Sequence, residues 1–229
     1  SNLDHFYAGP LDFQQTHTLR NASVALLLQG GIGRYLYASA YEYADVFVGA
    51  SDSMAYADPI TLPLLSTDGL DALSAGSEYT RVEKTLRVAD IRDSYDTLDV
   101  CISEDNHSGY TNCSSCWKCL RTMATLDIAG RLGNYANSFD LATYRKFRTR
   151  YFAKLLSSPN ETLMREIVEF GKERDFQIPL TARLLHGSGV YPAAMWSKRM
   201  MKTLKQGRLA AGAETRRHSP KARSVAELV

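Results

Sequence analysis

The stretch CISEDNHSGYTNCSSCWKC, residues 101–119, contains all four cysteines of this 229-residue chain. Their spacing, Cys-x11-Cys-x2-Cys-x2-Cys, lets a tight turn direct several thiolates at one point while a preceding segment supplies the fourth. Sets of four closely spaced cysteines are typical of tetrahedral zinc sites. Because four sulfurs leave no open position for water, we predict one structural zinc ion without a catalytic role. The predicted ligands are Cys101, Cys113, Cys116 and Cys119.

Two other uses of these thiols are open at the level of sequence. The cysteines could form two disulfides, or one Cys-x-x-Cys pair could carry out redox chemistry. The cytoplasmic location that we expect keeps thiols reduced, and the close grouping of all four cysteines also favours a metal. His107 lies in the same loop and could replace one thiolate, because histidine is an acceptable zinc ligand.

Composition predicts a globular, soluble chain, with 45% hydrophobic residues and a net charge of +2. No apolar run approaches the roughly 18 residues of a membrane span. The first five residues, Ser1-Asn2-Leu3-Asp4-His5, lack the basic and then apolar layout of a secretion signal. We therefore expect a cytoplasmic protein that does not bind membranes.

Charge divides the chain into two parts with different surfaces. Residues 1–139 carry 9 basic and 17 acidic side chains, whereas residues 140–229 carry 18 and 8, which together give the net charge of +2. We predict a zinc-containing α/β domain over 1–139, a helical extension over 140–206 and a flexible basic tail over 207–229. The basic half could contact a polyanion, or its charges could simply be solvated helix faces.

Periodicity in the first part predicts alternating helices and strands, which is the pattern of an α/β domain. Residues 18–29 have helical spacing and end at Gly30-Gly31. Short segments rich in β-branched and aromatic residues predict strands at 35–38, 45–49 and 97–102. A capping box formed by Thr80 and Glu83 begins a helix that runs to about Ala89.

Beyond the cysteines the pattern is helical throughout. One helix follows the cysteines and ends near Gly133, and a second capping box is predicted at Ser158-Pro159-Asn160-Glu161. Between them, aromatic and aliphatic residues share one stripe, which we expect to be buried against a core. The stripe consists of Tyr144, Phe147, Tyr151, Phe152 and Leu155.

Five short stretches, in order along residues 15–135, resemble the ATP-pyrophosphatase (PP-loop) superfamily, and within it the 7-cyano-7-deazaguanine synthases. The cysteine cluster is the most specific of these stretches, and the order and spacing of the others strengthen the resemblance. They are Arg20-Asn21, Gly49 with Asp52-Ser53-Met54-Ala55-Tyr56-Ala57-Asp58, Pro63-Leu64, Arg81-Val82-Glu83-Lys84, and the cysteines with Leu120-Arg121.

The resemblance implies the C-terminal part of a doubly wound parallel-sheet (HUP-like) α/β domain with a four-cysteine zinc site, followed by a helical region. It also implies a ligase in which ATP activates an acceptor oxygen of a small molecule as an adenylate before a nitrogen nucleophile attacks. No catalytic residue is identified. The residues that the resemblance places at the nucleotide or acceptor are Arg20, Asn21, Asp52, Tyr56, Asp58, Arg81 and Lys84.

The chain departs from the family at the phosphate-binding loop, Ser-Gly-Gly-x-Asp-Ser, whose nearest equivalent is the string VGASDS at 48–53. Ala50 adds a Cβ where glycine permits close phosphate approach. We expect either a C-terminal piece of a longer protein, with ATP and Mg²⁺ bound only if an upstream loop exists, or a non-catalytic relative. In both cases we expect the chain alone to be inactive.

Each candidate residue also has a structural interpretation. Asp52 and Asp58 could form turns, Arg81 and Lys84 could lie on a solvated helix face, and Asn21 could cap a helix. The alternative function is a zinc-anchored binding protein that contacts a polyanion or a protein through its basic helical half. We do not expect nucleic-acid binding, and the helices could instead form a homodimer contact.

Overall fold

The computed structural model describes residues 13–103 and 109–189, in which helices predominate. The regular elements are α1 (Phe13–Leu27), β1 (Arg34–Ala38), α2 (Asp58–Leu64), β2 (Asp71–Ala75), α3 (Arg81–Ala89), α4 (Ser94–Thr97), α5 (Trp117–Ile128), α6 (Leu141–Leu156), α7 (Thr162–Glu173) and α8 (Leu180–Gly187). Short 3₁₀ helices lie at Tyr43–Asp45, Met54–Ala57 and Leu132–Tyr135. The fold is therefore mixed α/β, and mostly helical.

The two strands pair in parallel, with Arg34 opposite Asp71 and Ala38 opposite Ala75. The connection between them contains α2, which packs against β2, so the segment forms a β-α-β unit. The predicted strand at 35–38 is confirmed as β1. β2 was not predicted from the sequence, because Asp71, Ala72 and Ser74 have low strand propensity.

Two predicted strands are wrong. Residues 43–45 form a 3₁₀ helix and 46–49 have no regular structure, with Phe47 43% and Val48 77% exposed. Their β-branched and aromatic side chains favour a strand locally, but no neighbouring strand pairs with them in the part of the chain that the structure describes. Residues 98–103 also lack regular structure, since α4 ends at Thr97.

Helix boundaries follow the local capping chemistry. α1 begins five residues before the predicted start at 18, and Gly30-Gly31 lies just beyond its end at Leu27, as expected. The predicted helix after the cysteines is confirmed as α5, although the positive φ of 68° at Gly130, rather than Gly133, follows its end. The second capping box is wrong, because α7 begins at Thr162 and no side chain caps it.

The main core is formed by α3, α5, α6 and α7, with residues from both sides of position 139. Its fully buried large side chains include Met123, Leu126, Tyr135, Phe139 and Phe152. The predicted aromatic stripe belongs to this core except for Phe147, which is 36% exposed. The predicted extension therefore packs directly on the cysteine-bearing part as far as 189, whereas the predicted tail at 207–229 lies outside the described residues.

One face of the two-stranded sheet is covered and the other is not. Tyr37 of β1 contacts Asn21 of α1 on the covered face. On the other face the ladder partners Leu36 and Leu73 are 59% and 38% exposed. Parallel strands are normally buried on both sides, so this apolar face is a surface to which further structure could add. Across 13–103 and 109–189, no helix has the length and apolar character needed to cross a membrane.

The capping box that begins α3 is confirmed. The Thr80 hydroxyl accepts from the Glu83 amide at 3.1 Å, and the Glu83 carboxylate accepts from the Thr80 amide at 2.8 Å. Losing the first of these bonds in Thr80→Ala should lower the free energy of unfolding by about 1 kcal/mol. Urea unfolding followed by circular dichroism measures this change. Thr181→Ala, at an exposed position of α8, is the control, and an equal effect in both variants would contradict the capping role.

Candidate functional site

The four cysteine sulfurs lie within 4.8 Å of one another and could hold a metal ion. The Cys116 and Cys119 sulfurs are 3.3 Å apart, and those of Cys113 and Cys119 are 3.9 Å apart. A disulfide needs about 2.05 Å, so these are free thiols. Ligands at about 2.3 Å from a tetrahedral zinc ion would lie about 3.8 Å from one another. The cluster therefore fits zinc, whereas His107 lies outside the described residues.

Backbone amides donate hydrogen bonds to the cysteine sulfurs, and burial raises the pKa of Cys119. The Ser103 amide donates to the Cys101 sulfur at 3.3 Å. The Cys116 amide donates to the Cys113 sulfur at 3.3 Å, and the Cys119 amide donates to the Cys116 sulfur at 3.5 Å. Burial opposes ionisation of Cys113, but hydrogen bonds from Ser115 and Cys116 lower its pKa to about 6. Such outer contacts orient metal ligands and stabilise the thiolate that binds the metal.

Asn112 fixes the cysteine turn to the rest of the fold. Its side chain is fully buried; the oxygen accepts from the Val100 amide at 2.9 Å, and the nitrogen donates to the carbonyls of Leu98 and Ser138 at 2.7 and 3.1 Å. These bonds take the place of a strand ladder for 98–100, where the predicted strand does not form. Ser114, at a φ of 58°, then reverses the chain toward α5.

Four basic side chains from α3 and α5 converge beside the carboxyl end of β1: Arg81, Lys84, Lys118 and Arg121. The Arg81 guanidinium donates to the carbonyls of Ser39 and Ala40, both at 3.2 Å, and the Lys84 ammonium donates to the Ser39 hydroxyl at 2.6 Å. Gly76, with φ +84°, follows β2, and a Cβ there would lie 3.5 Å from Lys84 Cε. We call these four side chains the cation cluster.

Burial and mutual repulsion disfavour the charges of this cluster. Burial and the charge of Arg81 lower the pKa of Lys84 to about 8 and that of Arg121 to about 10. The pKa of Lys118 is lowered by burial and by the charges of Arg121 and Arg81. The charge of Arg81 thus acts on each of the other three cations, and the charge of Arg121 also acts on Lys118.

The carboxylates near the cation cluster do not pair with it directly, although the charges of Glu166, Glu78 and Glu42 favour the charged form of Lys84. Glu166 of α7 is buried, but it accepts from the backbone amides of Arg81 and Val82, at 2.7 and 3.3 Å, and its other oxygen has no partner within the described ranges. Burial raises the pKa of Glu166. Within 13–103 and 109–189, none of the four cations is within 4 Å of a carboxylate oxygen. Such a group of desolvated positive charges is suited to an anion.

Aromatic rings lie beside the cation cluster. The Tyr41 and Tyr56 rings stack with their centroids 3.7 Å apart and their planes at 11°. The Phe47 ring centroid lies 4.9 Å from that of Tyr56. Burial and a hydrogen bond with Tyr56 raise the pKa of Tyr41, and the charge of Arg121 acts in the opposite direction. Tyr56 is therefore connected to the cluster through Tyr41, on which it stacks and on which the charge of Arg121 acts.

A buried polar network adjoins the cluster on the α1 side. The Tyr37 hydroxyl shares a hydrogen bond of 2.9 Å with His17 Nδ1 and accepts from Asn21 Nδ2 at 3.2 Å. The Thr18 hydroxyl donates to Asp58 Oδ1 at 2.7 Å, while Asp58 Oδ2 has no partner in the described part of the chain. Burial raises the pKa of Asp58 to about 6. Burial, Arg20 and Lys118 lower the pKa of His17, which links the network to the cluster.

The structure thus brings together five of the predicted binding residues in two adjoining groups. Arg81, Lys84 and Tyr56 lie at the cation cluster, and Asn21 and Asp58 lie in the polar network. Of the other two, Arg20 stacks on the Phe13 ring at 4.6 Å beside His17 of the polar network, and Asp52 is exposed in a loop.

The predicted binding residues did not include Tyr41, Lys118, Arg121 and Glu166, although Arg121 belongs to one of the stretches that carry the resemblance. A signal was present for two of them, because Lys118 and Arg121 are three residues apart at the start of the helix that follows the cysteines. Glu166 comes from a helix 85 residues away from Arg81 in sequence, so no local pattern could indicate it.

No family model, curated protein or solved structure matches this chain.

The pKa of Asp58 leads to a prediction about stability. A carboxyl group whose pKa is raised from 3.8 to about 6 on folding favours the folded state while it is protonated. That contribution is complete below about pH 4 and is lost as pH rises through about 6. Asp58→Asn removes the ionisation, so its stability relative to the native chain should increase by up to about 3 kcal/mol between pH 4 and pH 7.

Urea unfolding of both chains across this pH range measures the difference. Asp52→Asn, at an exposed loop position, is the control and should leave the pH profile unchanged. Parallel profiles for the native chain and Asp58→Asn would show that Asp58 is not buried as described.

Proposed function

We propose that this chain is a zinc-anchored member, or part, of an ATP-pyrophosphatase-type ligase, and that its cation cluster binds the phosphates of the nucleotide or the pyrophosphate product. One observation carries the proposal. Four half-buried basic side chains have no carboxylate within 4 Å in the described ranges. Arg81 and Lys84 bind Ser39 and Ala40 just beyond β1 of the parallel β-α-β unit, and the charge of Arg81 acts on Lys118 and Arg121. Ligands of open α/β sheets bind at this end of the strands.

The proposed zinc ion has a structural part in this site. Cys116 caps α5 and Cys119 lies in its first turn, so the metal would anchor the end of α5 that carries Lys118 and Arg121. Zinc with four thiolate ligands has no open position for a substrate. Its contribution would be to hold two of the four cations in place against their mutual repulsion.

In the proposed reaction ATP transfers its adenylyl group to an acceptor oxygen, and pyrophosphate leaves. Negative charge develops on the pyrophosphate as its bond to the adenylyl group breaks, and fixed cations stabilise that charge. Arg81, Lys84 and Arg121 are suited to this task because backbone carbonyls or burial already hold them in position. Asn21 and Asp58 would orient the acceptor, whose identity the site does not specify.

The finer fold assignment also belongs to this proposal. A two-stranded parallel sheet with Leu36 and Leu73 exposed on one face is what the C-terminal part of a larger doubly wound, HUP-like sheet would present. Residues 46–51 form an irregular segment with Gly49 and Ala50 exposed, not a strand followed by a glycine-rich turn and a helix. We therefore propose that the chain alone binds phosphates weakly and lacks ligase activity.

A second candidate is a non-catalytic protein that holds a polyanion on its basic helical half. The observation that favours it lies on α6, where Arg145, Lys146 and Arg150 are exposed and, within the described ranges, have no carboxylate partner within 4 Å. Exposed charges on a helix are often only solvated, so we rank this candidate second.

Calorimetric titration of the chain with inorganic pyrophosphate tests the first proposal. Lys84→Gln and Arg121→Gln should each weaken binding by at least about tenfold, because each removes a charged contact. Lys172→Gln, at an exposed position of α7, should leave it unchanged. Because the pKa of Lys84 is about 8, an anion that favours its charged form should also cause proton uptake at pH 8.5 that Lys84→Gln reduces.

Pyrophosphate binding that is equal in all these variants would overturn the proposal. Binding that persists in Lys84→Gln and Arg121→Gln but is lost when Arg145→Glu is combined with Arg150→Glu would favour the polyanion-binding candidate instead.

A further inference from the structure

A groove of about 240 Å³ lies between the cysteine turn and α6. One wall comes from the turn and the first residues of α5: Ser115, Trp117 and Leu120. The other wall comes from α6. None of the four cations of the cluster lines the groove, although Lys118 and Arg121 contact the Trp117 ring.

The α6 wall is a single stripe. Phe147, Arg150, Tyr151 and Lys154 are spaced i, i+3, i+4 and i+7, so their side chains lie on the same face of the helix. Tyr151 is buried and forms the base of this stripe, while Phe147 remains 36% exposed. Of the predicted aromatic stripe of α6, the Phe147 ring lines the groove and is not buried in the core.

The opposite wall presents a second ring. Trp117 is 43% exposed, although tryptophan is usually well buried. Its indole is held by two cations, with the Arg121 guanidinium carbon 5.0 Å and the Lys118 nitrogen 5.7 Å from the ring centre. The ring is therefore positioned before any ligand arrives, which reduces the entropy lost on binding.

Two positive charges accompany these rings. Arg150 and Lys154 are about one helical turn apart on the groove. In the residues that the structure describes, neither is within 4 Å of a carboxylate. The groove thus combines aromatic surface with unneutralised cations, which complements a planar ring that carries an anionic group.

The size of the groove limits the ligand. Pockets for drug-sized molecules measure roughly 300–1,000 Å³, so about 240 Å³ admits one ring system with its substituent and not an extended polymer. We propose that this groove binds a nucleoside monophosphate, with the base against Trp117 and Phe147 and the phosphate against Arg150 and Lys154. This site is distinct from the cation cluster and does not depend on the proposed ligase function.

Tryptophan fluorescence of the full chain tests the proposal. The sequence contains two tryptophans, so a Trp196→Phe background leaves Trp117 as the reporter. Adenosine monophosphate should quench Trp117 saturably, whereas adenosine should bind at least about tenfold more weakly because it lacks the charged contact. Inorganic phosphate alone should cause no quenching.

Single substitutions distinguish the residues that bind the phosphate from those that bind the base. Arg150→Gln and Lys154→Gln should each weaken binding of the monophosphate about five- to tenfold without changing that of adenosine. Phe147→Leu should weaken both ligands. Arg145→Gln, on α6 but outside the groove, and Lys84→Gln, in the cation cluster, should leave both unchanged, and circular dichroism checks that every variant is folded.

Three results would overturn this inference. Adenosine and its monophosphate could bind equally well, or Arg150→Gln and Lys154→Gln could have no effect. Affinity could also rise steeply with the length of an oligonucleotide, with a log–log salt slope steeper than about −2, which would indicate a phosphate-binding surface larger than this groove.

Discussion

Four sulfurs lie within 4.8 Å of one another and come from segments that no strand ladder joins in the described part of the chain. Cys101 lies in a segment without regular structure, and Cys116 and Cys119 lie at the start of α5. Asn112 adds the connection to Ser138, just before α6. The main core packs around this junction, with Cys119 fully buried in it. A metal ion bound by these sulfurs would fix the position of α5 and of the side chains on its first turn.

Lys118 and Arg121, near the start of α5, are positively charged side chains at positions where burial disfavours the charged form. Burial lowers the pKa of Lys118 and Arg121, and each also repels Arg81. A fold selected only for stability would not keep such charges together, and strongly perturbed groups of this kind are characteristic of functional sites. The Glu166 carboxylate gives limited compensation because it binds backbone amides at the start of α3. An anionic ligand would relieve the remaining repulsion.

The sequence predicted some features whose contacts lie close together along the chain. The Thr80–Glu83 capping box and the Cys113-Cys116-Cys119 spacing involve contacts within a few residues, and the structure has both. The capping box predicted at Ser158–Glu161 is equally local but does not form. β2 could not be predicted, because its Asp71-Ala72-Leu73-Ser74-Ala75 sequence becomes a strand only by pairing with β1. The strand predicted at 45–49 was wrong for the opposite reason, because these residues have strand propensity but pair with no strand in the described ranges. The cation cluster requires α3 and α5 to approach one another, and no pattern in either helix encodes that approach.

X-ray absorption at the zinc edge, combined with chelation, tests most directly whether the cysteines anchor the fold. The account predicts one zinc ion per chain with four sulfur neighbours at about 2.3 Å. Because structural zinc contributes roughly 10–16 kcal/mol in apparent terms and a domain's stability is about 5–15 kcal/mol, chelation should unfold the helical core and abolish its circular dichroism signal. A folded, metal-free chain with reduced cysteines, or one with two disulfides, would contradict it.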